Sequence, residues 1–268
     1  MSRSTLRRGL LATSLVAAAA LGAVGGHADA TGPAAQTRAT FAAATPRPLA
    51  GVVIALDPGH QLGNRNFPRQ IHAQVPAGGF RKDCNTVGAS TNAGVPEPTV
   101  NWRIAQLTRA RLQALGATVR ETRTSNRADR WGPCVDQRAR FAARVGARVL
   151  VSIHADGARA QDHGFHVIVP VRRAGPTLRT AAPSLALAKD LRAGLVKHGF
   201  ARSSYIGHGT ALSVRSDLAT LNLSTVPVAM IEVGNMRNSH DAALMTRSAG
   251  QARYAASIVA GIRAYLHE

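Results

Sequence analysis

The chain has 268 residues, of which 45% are apolar and 4% are aromatic, and its formal net charge at pH 7 is +19. This apolar content is enough for a substantial core, and the length fits one large domain or two small ones. No basic segment is interleaved with aromatic residues, so the sequence argues against a nucleic acid partner whose bases would stack on the protein.

Residues 1–30 have the pattern of a secretory signal peptide. The first eight residues include three arginines and are followed by an apolar stretch from about Gly9 to Val24. The segment ends in Ala28-Asp29-Ala30, which fits a small-residue cleavage site. The apolar stretch is too short for a stable membrane span. We expect cleavage after Ala30 and export to the periplasm or the cell wall. The Arg7-Arg8 pair leaves the twin-arginine route open beside general secretion.

The exported chain remains strongly basic. Removal of residues 1–30 takes away three arginines and one aspartate, which leaves a net charge of +17 carried almost entirely by arginine. A large net charge indicates partners and solubility rather than fold. For an exported protein it favours contact with an anionic cell envelope. We expect a monomer without a stable membrane span.

The predicted elements alternate between strands and helices. Residues 31–49 lack periodicity and predict a flexible linker, whereas residues 50–268 predict one domain. In chain order the elements are strand Val52–Leu56, a long loop over 61–96, helix Pro98–Leu115, strand Thr118–Thr122, helix Asp136–Val145, strand Arg148–His154, strand Gly164–Val171, helix Ser184–His198 with Ser184 as N-cap, a short strand near Leu212–Val214, strand Val226–Val233, and a closing helix or pair of helices over 239–266. This alternation is typical of an α/β fold with a largely parallel or mixed sheet.

Cys84 and Cys134 are the only cysteines, and in an exported chain an even count indicates one disulfide bond. The bond would close a loop of about fifty residues and stabilise the fold by roughly 3–5 kcal/mol. Both cysteines lie in loop-like sequence, so the bond would tie two long loops together. Neither cysteine has a C-x-x-C partner, which argues against a zinc site built from these thiolates.

Three side chains suited to metal chemistry lie near the ends of predicted strands. His60 follows the first strand in ALDPGH, His154 ends the third in VSIH, and Glu232 lies in the last strong strand in MIEVG. Functional sites of open α/β sheets gather at the carboxyl ends of the strands, so we expect these side chains to share one edge. Glu97, flanked by prolines at the start of the first long helix, can face the same edge.

Histidines and a carboxylate at one edge match a catalytic zinc site, which has three protein ligands and an open position for water. A further carboxylate that is not a ligand can act as the base. There are simpler alternatives, because a histidine at a strand end is often structural and a glutamate at a helix start often complements the helix dipole. Glu232 favours the functional interpretation, since a buried carboxylate is costly without a partner or a role.

The blocks LDPGH, TRT, VLVSIHADG and VAMIEVGNMRN occur in this order, with a glutamate at the start of the first long helix. Together they resemble the zinc-dependent N-acetylmuramoyl-L-alanine amidases of bacterial cell walls, over residues 51–266. The resemblance implies one zinc ion held by His60, Glu97 and His154, with Glu232 as the catalytic carboxylate. It also implies a single α/β domain whose mostly parallel or mixed sheet of about six strands is covered by helices on both faces.

The expected reaction is hydrolysis of the amide bond between N-acetylmuramic acid and L-alanine in peptidoglycan or muropeptide fragments. One departure from the family is Gln61-Leu62-Gly63, where members often have two glycines, and residues 61–96 are expected to overhang the site. Two alternatives are a zinc peptidase that cuts within the stem peptide and an inactive wall-binding module. A catalytic Glu232 argues against the second, because binding alone needs no carboxylate beside the metal.

Overall fold

A computed structural model describes residues 47–268, so the predicted signal peptide and most of the predicted linker lie outside the described residues. Hydrophobic runs form the longest strands of the central sheet. The described strands are β1 Val53–Pro58, β2 Gln74–Pro76, β3 Arg81–Asp83, β4 Thr118–Glu121, β5 Val149–Asp156, β6 His166–Pro170, β7 Leu212–Arg215 and β8 Val228–Asn235. The described helices are α1 Pro68–Ile71, α2 Glu97–Ala114, α3 Val135–Arg144, α4 Thr177–Lys197, α5 Ala219–Asn222, α6 Ser239–Thr246 and α7 Ser248–Leu266.

Six strands form the central sheet in the order β4-β1-β5-β8-β6-β7. The first four are parallel to one another, whereas β6 runs antiparallel to β8 and β7 runs parallel to β6. The predicted mixed α/β sheet of about six strands is therefore confirmed. The carboxyl ends of β1, β5 and β8 lie at one edge, as the sequence analysis expected.

The two faces of the sheet bury different helices. Because successive residues of a strand point to opposite faces, Leu56 and Val151 belong to one core with α2, α4 and α7. Their neighbours Ala55 and Leu150 belong to a smaller core with α3 and α5. Helices thus cover both faces, and the face of α3 and α5 also carries the polar side chains at the strand ends.

Two local predictions were wrong. Residues 61–96 are not a plain loop, because they contain a short 3-10 helix, α1 and the β2–β3 hairpin. Ser184 is not an N-cap, because α4 begins at Thr177 and includes Pro183. The Ser184 hydroxyl instead accepts a hydrogen bond from the backbone N–H of Val228 at 2.9 Å, which joins α4 to β8.

The predicted disulfide bond joins Cys84 and Cys134. It connects the end of the β2–β3 hairpin to the start of α3, and the backbone N–H of Val135 donates to the Cys84 carbonyl at 2.8 Å beside it. The hairpin is therefore tied to the main domain close to the edge that carries the candidate site.

Among the described helices, none is long and apolar enough to cross a membrane.

Candidate metal centre

The side chains of His60, Glu97 and His154 meet at the carboxyl edge of the parallel strands. One potential ligand atom from each lies within 4.8 Å of the others. His60 Nε2 is 3.2 Å from Glu97 Oε2, and His154 Nδ1 is 3.0 Å from Glu97 Oε1. The structure thus brings together the three residues predicted as ligands, and their role as ligands remains a prediction.

Two glycines let the backbone approach this cluster closely. The turn after β1 gives His60 a φ of 56°, in the left-handed region that residues other than glycine rarely adopt. A Cβ atom at Gly59 would overlap the imidazole ring of His154, and one at Gly88 would lie 2.6 Å from Glu97 Oε2. Larger residues at these positions would therefore displace the candidate ligands.

Glu97 is the first residue of α2, where the helix dipole favours a carboxylate. Its side chain is almost fully buried and accepts three hydrogen bonds from N–H groups. The backbone of Ala89 donates to Oε2 at 2.8 Å, while the backbone of Ala155 and the side-chain amide of Asn101 donate to Oε1 at 3.1 Å each. These bonds hold both carboxylate oxygens toward the histidines.

The cluster favours an ionised carboxylate. Burial opposes ionisation of Glu97, but the charge of His60 and the hydrogen bonds from both histidines hold the pKa of Glu97 well below its usual range. Burial likewise lowers the pKa of His60, but the Glu97 carboxylate outweighs it and raises that pKa. Glu97 is therefore a carboxylate at neutral pH, the form that binds a metal.

The second ring nitrogen of His60 has partners of its own. His60 Nδ1 lies 3.1 Å from the backbone carbonyl oxygen of Thr86 and 3.2 Å from Asn85 Oδ1. Both are acceptors, so Nδ1 carries a proton and Nε2 is the ring nitrogen that faces the cluster, the usual orientation for a metal-binding histidine. Asn85 and Thr86 were not among the predicted site residues, and they lie within the segment expected to overhang the site.

A buried ion pair supports the turn that carries His60. Asp57 is fully buried and accepts hydrogen bonds from Arg138, from Thr122 Oγ1 at 2.6 Å and from Ser152 Oγ at 2.7 Å. Burial opposes ionisation of Asp57, but Arg138 leads the interactions that leave its pKa lowered. Arg138 also donates to the His60 carbonyl at 2.7 Å. Neither Asp57 nor Arg138 was among the predicted site residues, although Asp57 lies in the LDPGH block.

Glu232 has a different environment from Glu97. It lies on β8 opposite His154 of β5, and its Oε2 is buried without a hydrogen-bond partner in the described structure. Burial, followed by the charges of Glu97 and Asp156, raises the pKa of Glu232 well above its usual range. The site therefore pairs an ionised carboxylate with one that readily holds a proton, an arrangement typical of two distinct chemical roles.

A cavity of about 250 Å³ opens beside the cluster. Its lining includes His60, His154 and Glu232, together with other polar residues and several apolar ones. The remaining lining residues are Lys82, Asp83, Asn85, Thr86, Val135, Arg138, Leu218, Ala219, Thr220 and Met230. The 61–96 segment therefore forms one wall of the cavity, so a molecule bound there reaches the cluster alongside the hairpin.

Comparison with known proteins identifies the family. Residues 54–264 match the family Amidase_3, N-acetylmuramoyl-L-alanine amidase. The chain belongs to this family. The amidase domain is similar to the N-acetylmuramoyl-L-alanine amidase Rv3717 of Mycobacterium tuberculosis, with 41% identity over 228 residues that cover 84% of this chain and 90% of the relative.

Solved structures support the same conclusion. The amidase domain is similar to the crystal structure of the N-acetylmuramyl-L-alanine amidase Ami1 from Mycobacterium smegmatis, with a TM-score of 0.76, 38% identity, and coverage of 82% of this chain and 98% of that chain. The apo form of Ami1 from Mycobacterium abscessus gives a TM-score of 0.75 and 41% identity, with coverage of 81% and 99%. The predicted family resemblance is confirmed.

Proposed function

We propose that the protein is a zinc-dependent hydrolase that cleaves the amide bond between N-acetylmuramic acid and L-alanine in peptidoglycan. Family membership supports the reaction. One structural observation carries the assignment of the site: His60, Glu97 and His154 converge, and Glu232 lies opposite His154 on the neighbouring strand. This combination provides both a cation site and a separate carboxylate for proton transfer.

The donor set fits zinc. Two imidazoles and one carboxylate from separate elements are a common ligand set for catalytic zinc, and three protein ligands leave room for a reacting group. His60, Glu97 and His154 would hold the ion, and the ionised Glu97 would offset part of its charge. A bound zinc ion supplies Lewis acidity, which makes water more acidic and polarises a carbonyl group.

Glu232 accepts and then returns the proton in this mechanism. The attacking water gives a proton to the Glu232 carboxylate as its oxygen bonds to the carbonyl carbon of the lactyl group. Glu232 then gives that proton to the alanine nitrogen as the carbon–nitrogen bond breaks. A raised pKa suits a group that must both accept and return a proton. The products are a free lactyl carboxylate and a stem peptide with a free amino end.

The surroundings support peptidoglycan or its muropeptide fragments as substrate. The cavity beside Glu232 is lined by both polar and apolar residues, some of them from the hairpin segment, so it can accept the groups that flank the scissile bond. We also propose export after removal of residues 1–30, with a monomeric enzyme drawn to the anionic envelope by its positive charge.

Digestion of purified peptidoglycan tests the reaction. The zinc-loaded protein should release intact stem peptides with free L-alanine amino ends, identified by mass spectrometry. Cleavage within the stem peptide would instead identify a peptidase. A protein that binds peptidoglycan without releasing any peptide would be a binding module, and the proposal would be wrong.

Glu232→Gln tests the role of the carboxylate. The substitution should lower kcat by about 10²–10⁴-fold, because general acid–base catalysis contributes that much, while zinc content stays at the wild-type level. Glu121→Gln is the matched control, since Glu121 is a buried carboxylate on β4 that is paired with Arg109 outside the cluster. Full activity in Glu232→Gln would rule out this mechanism.

A further inference from the structure

Glu232 belongs to a row of three titratable side chains that crosses the sheet. The register pairs Glu232 of β8 with His154 of β5 on one side and with His166 of β6 on the other. Directly opposite residues in an antiparallel pair share one face, with Cβ atoms about 4.5–5.5 Å apart. His166 is therefore the neighbour of Glu232 on the side away from the metal cluster.

His166 and Glu232 each carry a buried side-chain atom without a hydrogen bond. His166 is 3% exposed, and among the described residues its Nδ1 has no partner; Glu232 Oε2 is in the same condition. A buried polar atom without a partner is destabilising, so native structures contain few of them. Two such atoms on facing residues, one able to donate and one able to accept, indicate a hydrogen bond made in the working state of the site.

Packing alone does not require a histidine at this position. Two residues further along the same face, Ile168 lies opposite Met230 as an apolar pair. The His166 ring is held edge-on against Tyr205 with ring centroids 6.0 Å apart, and the Tyr205 hydroxyl donates to Asp156 Oδ2 at 2.9 Å. The ring therefore packs against a tyrosine that is itself hydrogen-bonded, while its Nδ1 has no partner.

The charge state of His166 suits a donor to a working carboxylate. Burial lowers the pKa of His166 to about 4, against the opposing effect of Asp156. At neutral pH the ring is uncharged and has one N–H donor. An uncharged donor orients a carboxylate without the strong loss of basicity that a neighbouring cation would cause.

We infer that His166 is a positioning residue for Glu232: its imidazole donates a hydrogen bond to the Glu232 carboxylate and holds it where it accepts the proton of the attacking water. This inference rests on the proposed function. His166 acts through Glu232 and not on the metal or the substrate. Its loss should therefore lower kcat and leave KM and zinc content unchanged.

Three substitutions at His166 test this role with the zinc-loaded protein and peptidoglycan fragments. His166→Leu should lower kcat by about 10- to 100-fold, as the loss of a supporting hydrogen bond does at metal sites. His166→Phe, which keeps a ring against Tyr205, should show the same loss. His166→Asn, whose amide nitrogen can donate from a position near that of Nδ1, should recover most of kcat.

Ile168→Val is the matched control, because Ile168 lies on the same strand and face and its truncation should lower stability but not kcat. Wild-type kcat in both His166→Leu and His166→Phe would overturn the inference. So would equal losses in His166→Asn and His166→Leu, because packing alone would then explain the effect. A wild-type enzyme that released no stem peptides would overturn the proposed function, and this inference with it.

Discussion

The two glutamates of the site, Glu97 and Glu232, both lie next to His154 but in opposite environments. Glu97 accepts three N–H hydrogen bonds and faces two imidazoles, which hold its pKa well below its usual range. Glu232 has a buried oxygen without a partner, and burial raises its pKa well above its usual range. The same residue type is thus prepared for two tasks by its surroundings.

The fold places the two glutamates in differently built surroundings. The Glu97 side is assembled from β1, α2 and the segment before α2, whose N–H groups and glycines surround the cluster closely. On the Glu232 side, Glu232 Oε2 and the facing His166 Nδ1 are buried without hydrogen-bond partners in the described structure. The many hydrogen bonds to Glu97 suit a residue that holds an ion in a fixed position. The lack of a partner at Glu232 Oε2 suits a residue that accepts and releases a proton.

Glu97→Gln should give the largest effect and tests the comparison most directly. Loss of the negative charge between the histidines should remove most of the zinc and lower activity by more than about 100-fold, beyond the effect of a supporting residue. Metal analysis and peptidoglycan digestion check the result beside Glu232→Gln, which should keep its zinc. Equal zinc contents in the two variants would contradict the division of roles.

Arg138→Met should have the next largest effect and tests the rigidity of the Glu97 side. The substitution leaves Asp57 buried without its partner, which should destabilise the protein by about 3–5 kcal/mol. Denaturant unfolding of the zinc-free protein measures the loss. Arg140→Met on the same helix breaks only a partly exposed pair with Asp136 and should change stability by less than about 1 kcal/mol. Similar losses in both variants would argue against a special role for Arg138.

Tyr205→Phe should have the smallest effect and probes the Glu232 side. It removes one hydrogen bond to Asp156 and leaves the ring against His166, so stability should fall by about 0.5–1.5 kcal/mol. Activity should fall less than in His166→Leu. Thermal unfolding and initial rates check both expectations, with Tyr265→Phe on α7 as the control. A loss of stability as large as that of Arg138→Met would show that the Glu232 side is as tightly bonded as the Glu97 side.

Much of the fold could be predicted because its signals are local. The apolar runs before His60 and His154 have the length of strands, and α2 begins at Glu97, one residue before the predicted start at Pro98. The start of α4 was missed because Ser184 is a residue type typical of an N-cap, whereas the helix begins at Thr177. The β2–β3 hairpin was missed because its strands have only three residues each and little apolar character.

The residues that support the site could not be predicted, because their roles depend on distant partners. Arg138 reaches Asp57 from 81 residues away and has the same sequence context as many surface arginines. His166 gains its place only from the antiparallel register of β6 with β8, which the sequence does not encode locally. The chain order of the family blocks indicated the four principal residues, but not the groups that hold them.

The disulfide bond has a consequence for how the centre assembles. Cys84 directly precedes Asn85 and Thr86, which bond to one nitrogen of His60, and Cys134 directly precedes α3, which carries Arg138. These two segments are 50 residues apart in the chain, and the bond keeps them close even when the chain is unfolded. In an oxidised chain, the segment with Asn85 and Thr86 and the segment that leads into α3 are therefore linked before folding begins. Formation of β1 then places His60 between them.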